Sequence, residues 1–184
     1  MKALIIYATV EGQTRKVAET AARRFEDLGW KAALMNVAEP AEFTLERPDA
    51  VLLMAPVHSN DYPSDFREFV EQETEWLNSL PTAFISVSLS IHSEFKDERD
   101  AVLVLPEALS VHTGWRPLMV HHAAGALRFT EYDFFKRFLV RHMATREAKT
   151  ADGKQNYEFT DWNALEVFVA EFADRCRGAA SVAS

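Results

Sequence analysis

The stretch Ala3-Leu4-Ile5-Ile6-Tyr7-Ala8-Thr9-Val10-Glu11-Gly12-Gln13-Thr14 decides how the chain is built. Ala3 to Thr9 is a short apolar and β-branched run that reads as a strand buried on both faces. Thr9 to Thr14 is mostly polar, and Gly12 lets the backbone turn tightly. From Gln13 to Leu28, Val17, Ala18, Ala21, Ala22, Phe25 and Leu28 recur on one helical face, and Gly29 supplies the stop. Strand, tight turn and helix together open a βαβ unit. In an open α/β sheet a ligand binds beyond the carboxyl ends of the strands, where a helix N-terminus suits a phosphate. Hydroxyls at Thr9 and Thr14 and the amide of Gln13 add donors there, and Glu11 offers its backbone. The same hydroxyls would also serve an ordinary strand-to-helix turn with polar caps, so the local chemistry leaves both readings open. A single glycine does not make the three-glycine dinucleotide fingerprint, and no Gly-Lys-Ser/Thr ending marks a nucleoside-triphosphate loop. The strand does not end in the acidic pair that a metal-dependent phospho-acceptor needs. A monophosphate held without a metal is the best-fitting ligand.

Working outward, Ala50 to Val57, Thr82 to Ser88 and Leu118 to Ala124 read as further buried strands, with a weaker one at Lys31 to Val37. Ser64 is placed to cap a helix over Asp65 to Leu77. Glu98 to Thr113 reads as helix interrupted by Pro106, and Asp161 can cap a last helix whose apolar face runs Trp162, Leu165, Phe168, Val169, Phe172 and Ala173. Strands alternating with helices imply right-handed crossovers and a mostly parallel sheet covered on both faces. One fold is expected over residues 1–178, with 179–184 a disordered tail. Of His121 and His122, one is expected as a hydrogen-bonded core histidine; Cys176 reads as a small buried apolar residue.

Composition narrows the function. At 184 residues the chain has room for one domain with an elaborated loop, taking roughly 150 residues per domain. With 20 Lys+Arg against 28 Asp+Glu the net charge is −8, which disfavours nucleic acid. A hydrophobic fraction of 48% lies far from the disordered regime. The single cysteine excludes an internal disulfide and any multi-cysteine metal site, and no apolar run reaches the length of a membrane span. A cytoplasmic protein is expected, with peripheral contact at the inner face of the membrane left open.

The Thr-x-Glu-Gly-Gln-Thr loop after an N-terminal strand resembles the phosphate loop of flavodoxin-like proteins, which hold FMN. The resemblance sharpens along nearly the whole chain. Ser64-Asp65-Phe66-Arg67-Glu68-Phe69-Val70, Leu77-Asn78-Ser79-Leu80-Pro81-Thr82, Trp115-Arg116-Pro117, Gly125-Ala126-Leu127-Arg128-Phe129 and Thr160-Asp161-Trp162 look like the family of quinone-dependent protoporphyrinogen IX dehydrogenases of haem synthesis. The Gly-Ala-Leu-Arg and Thr-Asp-Trp stretches are far more specific than the phosphate loop. The second loop, Ala55 to Tyr62, departs from the family in having no glycine and an added carboxylate.

That resemblance implies an α/β flavodoxin-like three-layer sandwich, a five-stranded parallel sheet of order 2-1-3-4-5, with an insertion before the last helix. It implies FMN on Thr9, Val10, Glu11, Gly12, Gln13 and Thr14, with Pro56, Val57, His58, Ser59 and Tyr62 of the second loop and Ser88, Leu89, Ser90, Ile91 and His92 of the third around the ring. His58, Tyr62 and His92 are the natural candidates to flank it. The implied reaction takes hydride equivalents from a porphyrinogen to FMN and returns them to a quinone. Rival readings are an FMN-dependent quinone or small-molecule reductase fed by a nicotinamide, a flavodoxin-type electron carrier with an acidic rim, and a flavin-free scaffold.

The insertion, about 126–152, breaks the rhythm of the chain. Residues 126–150 carry six Lys/Arg against three Asp/Glu, and Asp133 to Arg146 reads as a short helix gathering Phe134, Phe135, Phe138 and Leu139 among Lys136, Arg137, Arg141 and Arg146. Such a segment suits an anionic membrane surface, a substrate lid, a homodimer contact or a plain cap over the domain. Arg128, Lys136 and Arg137 are the candidates to hold substrate carboxylates. No metal site is expected.

Overall fold

The computed structural model describes residues 1–10, 12–39, 47–93, 95–127 and 157–182. Five parallel strands form the sheet: β1 (Lys2–Tyr7), β2 (Lys31–Asn36), β3 (Ala50–Pro56), β4 (Thr82–Ser88) and β5 (Met119–Ala124), in the order β2-β1-β3-β4-β5. The register sets Leu4 beside Val51, Leu52 beside Ala83 and Ile85 beside His121. The expected order and flavodoxin-like layering are therefore present.

Both faces are covered, because in a strand alternate side chains point to opposite sides. Ile5, Leu52, Met54 and Ile85 pack with Val17, Ala21 and Phe25 of helix α1 (Gln13–Asp27) and with Leu165, Val169 and Phe172 of helix α6 (Trp162–Val182). Leu4, Ile6, Val51, Leu53 and Phe84 pack on the other side with Phe66 and Val70 of α2 (Ser64–Gln72), Leu77 of α3 (Thr74–Asn78) and Leu109 of α5 (Leu105–Thr113). On that face the polar residues of β4 find aromatic tips: the Trp115 indole donates to Thr82 Oγ1 at 3.0 Å and the Tyr62 hydroxyl to Ser86 Oγ at 2.9 Å.

Several boundaries differ from the sequence pattern for local reasons. The helix expected over Asp65–Leu77 is two, α2 and α3. Thr74 Oγ1 donates back to the Val70 carbonyl at 2.6 Å, a contact that bends helices, and Glu73 leaves helical geometry at φ −99°, ψ 10°. Ser64 lies inside α2, and Pro63 precedes it. The ambiguous stretch after Phe95 holds α4 (Lys96–Leu103) and α5, with Pro106 in the first turn of α5, where its missing N–H breaks no helical hydrogen bond. Asp161 caps α6 by accepting from Ala164 N at 2.9 Å. That helix continues past Gly178 to Val182, into the stretch that composition assigned to a tail.

Neither central histidine matches the expected hydrogen-bonded core residue. Both are half-buried; His121 stacks on Phe168 at 5.1 Å, and His122 Nδ1 is buried without a partner. Burial lowers the pKa of each, and in His121 the neighbouring His122 lowers it further. Cys176 is buried, and burial pushes its thiol up to about 12.

After β5 the chain pairs β6 (Ala126–Leu127) with β7 (Tyr157–Glu158) in an antiparallel ribbon, so the segment between them leaves and returns at one place. From Arg128 to residue 156 that segment, with Lys136 and Arg137, lies outside the described residues.

Candidate functional site

The chain leaves β1 toward β2 on one side and later returns to β3 on the other, so a crevice opens at the carboxyl ends of β1 and β3. A cleft of about 550 Å³ occupies that position. Its floor and walls come from five places: the turn into α1, the loop after β3, the end of β4 with the 3-10 turn Leu89–His92, helix α4, and Gly125 after β5.

The turn into α1 gives Val10, Gln13 and Thr14 to the wall. Gly12 stands at φ 84°, in the left-handed region, and so redirects the chain into the helix. Thr9 Oγ1 accepts from Gly12 N at 2.9 Å. Thr9 and Gly12 therefore shape the loop and do not line the cleft. Thr14 is 1% exposed and still reaches the lining. Gln13 Nε2 donates to Thr160 Oγ1 at 3.0 Å. The N–H groups of a first helical turn point out of the helix end and attract an anion. Glu11 lies outside the described residues.

The loop after β3 contributes Pro56, Val57, His58, Ser59 and Asn60. It is a miniature hairpin in which His58 and Asp61 exchange backbone hydrogen bonds at 2.9 and 3.1 Å. Ser59 at φ 50° and Asn60 at φ 62° both hold the positive φ that a type I′ turn demands. Val57 N donates to the Val87 carbonyl at 2.8 Å, tying the hairpin to β4. Tyr62, expected beside the ring, lies behind the loop, against β4. It is 4% exposed, packed on Phe84 and Phe66 at centroid distances of 5.3 and 6.0 Å, and stands outside the cleft lining. Burial raises its pKa, so its hydroxyl stays protonated.

From the third loop Ser88, Leu89 and Ser90 line the cleft and Ile91 does not. Ser88 Oγ accepts from Ser90 N at 3.1 Å and so starts the 3-10 turn. The His92 side chain lies outside the described residues. Asn60, Val87, Asp97, Glu98, Ala101, Val102 and Gly125 complete the wall, and sequence reasoning missed all of them. The acidic first turn of α4 is the signal that could have found Asp97 and Glu98. At Gly125 a Cβ would meet Leu89 Cγ at 3.4 Å, so a bare backbone there keeps the two loops close.

The donor set suits one kind of ligand. Pro56, Val57, Leu89, Ala101 and Val102 offer apolar walls to a flat ring, and the start of α1 offers backbone N–H groups and a hydroxyl to a phosphate. Among the described lining residues there is no Lys or Arg. Among the described residues no group of three or more His, Cys, Asp or Glu is placed to hold a metal, and no helix is long and apolar enough to cross a membrane.

The flavodoxin domain family model matches residues 4–154. A protein of Escherichia coli named protoporphyrinogen IX dehydrogenase (quinone) is 32% identical over 173 residues, covering 94% of this chain and 95% of its own. The chain belongs to the flavodoxin-like protoporphyrinogen IX dehydrogenase family. A family member of the same name from Leishmania major is 27% identical over 94% of this chain and 74% of its own. Flavodoxin 1 from Bacillus cereus (TM-score 0.52, 16% identity, 95% of this chain and 98% of that one) shares the fold. So does a flavodoxin, WrbA-like protein of Agrobacterium tumefaciens (TM-score 0.54, 14% identity, 96% and 98%). As a member of this family the chain is an oxidoreductase, and its cofactor is a flavin. The residues of the cleft fit that group.

Proposed function

We propose that the protein is an FMN-dependent protoporphyrinogen IX dehydrogenase that passes reducing equivalents to a quinone. The observation that carries this reading is the cleft at the carboxyl ends of β1, β3 and β4, in a chain 32% identical over 94% of its length to a relative of that name.

The first turn of α1, with Thr14 and Gln13, would hold the phosphate through neutral donors and the helix dipole. Pro56, Val57 and His58 on one side and Leu89 and Ser90 on the other would flank the ring and shield it from water. When bound, FMN supplies hydride acceptance and return, chemistry intrinsic to the cofactor. The protein's part is placement and polarity, so no acid–base dyad is assigned. A porphyrinogen brings carboxylates. Asp97 and Glu98 on the described wall would repel them, so the cations that meet them come from Arg128, Lys136 and Arg137. The basic, aromatic character of residues 126–150 also suits peripheral contact with an anionic membrane, where a lipid-soluble quinone is met.

Two measurements test the reading. Apo-protein titrated with FMN should quench flavin fluorescence saturably and bind riboflavin much more weakly; equal affinities would sink the phosphate assignment. Anaerobically, a porphyrinogen should bleach the bound flavin and a quinone restore it. Bleaching by NADPH and not by a porphyrinogen would move the protein to the nicotinamide-fed reductases. The acidic wall at Asp97 and Glu98 favours a second reading, a flavodoxin-type electron carrier, which predicts bleaching by neither.

A further inference from the structure

The motif Thr160-Asp161-Trp162 does more than start α6. Asp161 supplies a cap, through Ala164 N. Trp162 lies under Lys16, whose Nζ is 5.0 Å from the ring centroid. Thr160 is 9% exposed and joins two elements far from it in sequence: its hydroxyl contacts the carbonyl of Ala124, the last residue of β5, at 2.9 Å and the Gln13 side chain at 3.0 Å.

The hydrogen-bond polarity of this chain is forced. A carbonyl only accepts, so the Thr160 hydroxyl must donate to Ala124. Its single hydrogen is then committed, and toward Gln13 it can only accept. The Gln13 amide therefore presents its NH2 group, and not its oxygen, to Thr160. An ambiguous side-chain amide on the wall of the cleft is given one orientation by a strand end reached through one hydroxyl. Gln13 and Lys16 sit one turn apart on α1, so the motif braces the first turn at two points.

We propose that Thr160 is a positioning residue for the phosphate end of the cleft, acting through Gln13 and selective for a phosphorylated flavin; this rests on the FMN reading above. The link also joins the cleft to the chain just after β7, where the insertion returns. Gly125, on the wall of the cleft, accepts from Phe159 N at 3.3 Å, next to Thr160.

The test measures FMN and riboflavin dissociation constants for wild type, Thr160→Val, Thr160→Ser, Gln13→Leu and the Gln13→Leu/Thr160→Val double variant, by flavin fluorescence. Valine matches threonine in shape and removes the hydroxyl, leaving the Gln13 amide and the Ala124 carbonyl without that partner. Thr160→Val should weaken FMN about tenfold and leave riboflavin within about twofold, since a charge-assisted contact is disturbed in one ligand only. Thr160→Ser should restore FMN, and the double variant should bind FMN no more weakly than Gln13→Leu. Unchanged FMN binding by Thr160→Val, or equal weakening of FMN and riboflavin, overturns the assignment and leaves the FMN reading intact. A wild type that binds FMN no better than riboflavin overturns both. Should Thr160→Val not fold, Thr160→Ala decides: a loss confined to FMN supports the assignment, and no loss or a loss common to both flavins overturns it.

Discussion

The Tyr62 hydroxyl donates to Ser86 Oγ at 2.9 Å, with Tyr62 4% and Ser86 0% exposed. The bond pins the end of the His58–Asp61 hairpin to the middle of β4, so one wall of the cleft hangs from a buried contact behind it. Removing one partner of a buried hydrogen bond leaves the other unsatisfied, which costs about 1–3 kcal/mol. Tyr62→Phe should therefore lower stability by about that much in denaturant unfolding, and Tyr62→Phe with Ser86→Ala should recover part of the loss. A double variant as unstable as the sum of the singles would show that the two hydroxyls act independently.

Gly12 holds φ 84° at the entry to α1. A β-branched side chain in the left-handed region is strained by about 1–2 kcal/mol, and relief would swing the first-turn N–H groups away from the cleft. Gly12→Val should yield folded protein purified without flavin absorbance, whereas Gly12→Ala should retain weaker binding. Full flavin occupancy in Gly12→Val would remove the turn from the binding argument.

The Ser59-Asn60 turn places both central residues at positive φ, where Asn-Gly is the preferred pair. Ser59→Asn together with Asn60→Gly should raise stability by about 0.5–1 kcal/mol in thermal unfolding, since glycine adopts this geometry without steric penalty. Destabilisation would mean that the present side chains make contacts worth more than the backbone strain.

His121 and His122 have pKa values lowered by burial. The unfolded chain thus takes up their protons before the folded one, so their contribution is fully present above an unfolded value of about 6.5 and is lost as pH falls through the folded values. The thermal midpoint of wild type should drop between pH 7.5 and pH 5.5 by more than that of the His121→Gln/His122→Gln variant. Equal drops would assign the acid sensitivity to carboxylates.

Much of this protein was determined by local sequence. The apolar runs of β1, β3 and β4, the helical stripe of Val17, Ala21 and Phe25, and a single glycine between strand and helix dictate an α/β sheet with a crevice at its edge, because periodicity and turn chemistry act over a few residues. The turn chemistry pointed to Gln13 and Thr14, and the family resemblance to Val10, Pro56 to Ser59 and Ser88 to Ser90, all of which line the cleft. Tertiary structure alone decided the rest. Tyr62 reads as a loop residue facing a ligand, yet the hairpin turns it under β4, where Ser86 satisfies its hydroxyl and the rings of Phe66 and Phe84 cover it. Asp97, Glu98 and Gly125 reach the wall only because the 3-10 turn folds α4 back over the strand ends and β5 ends beside Leu89. Gln13 and Thr160, 147 residues apart, meet because α1 and α6 pack on one face of the sheet. No pattern within a window of sequence encodes that contact. It exists because burial of apolar surface brings the two helices together, and the polar groups trapped between them must then pair.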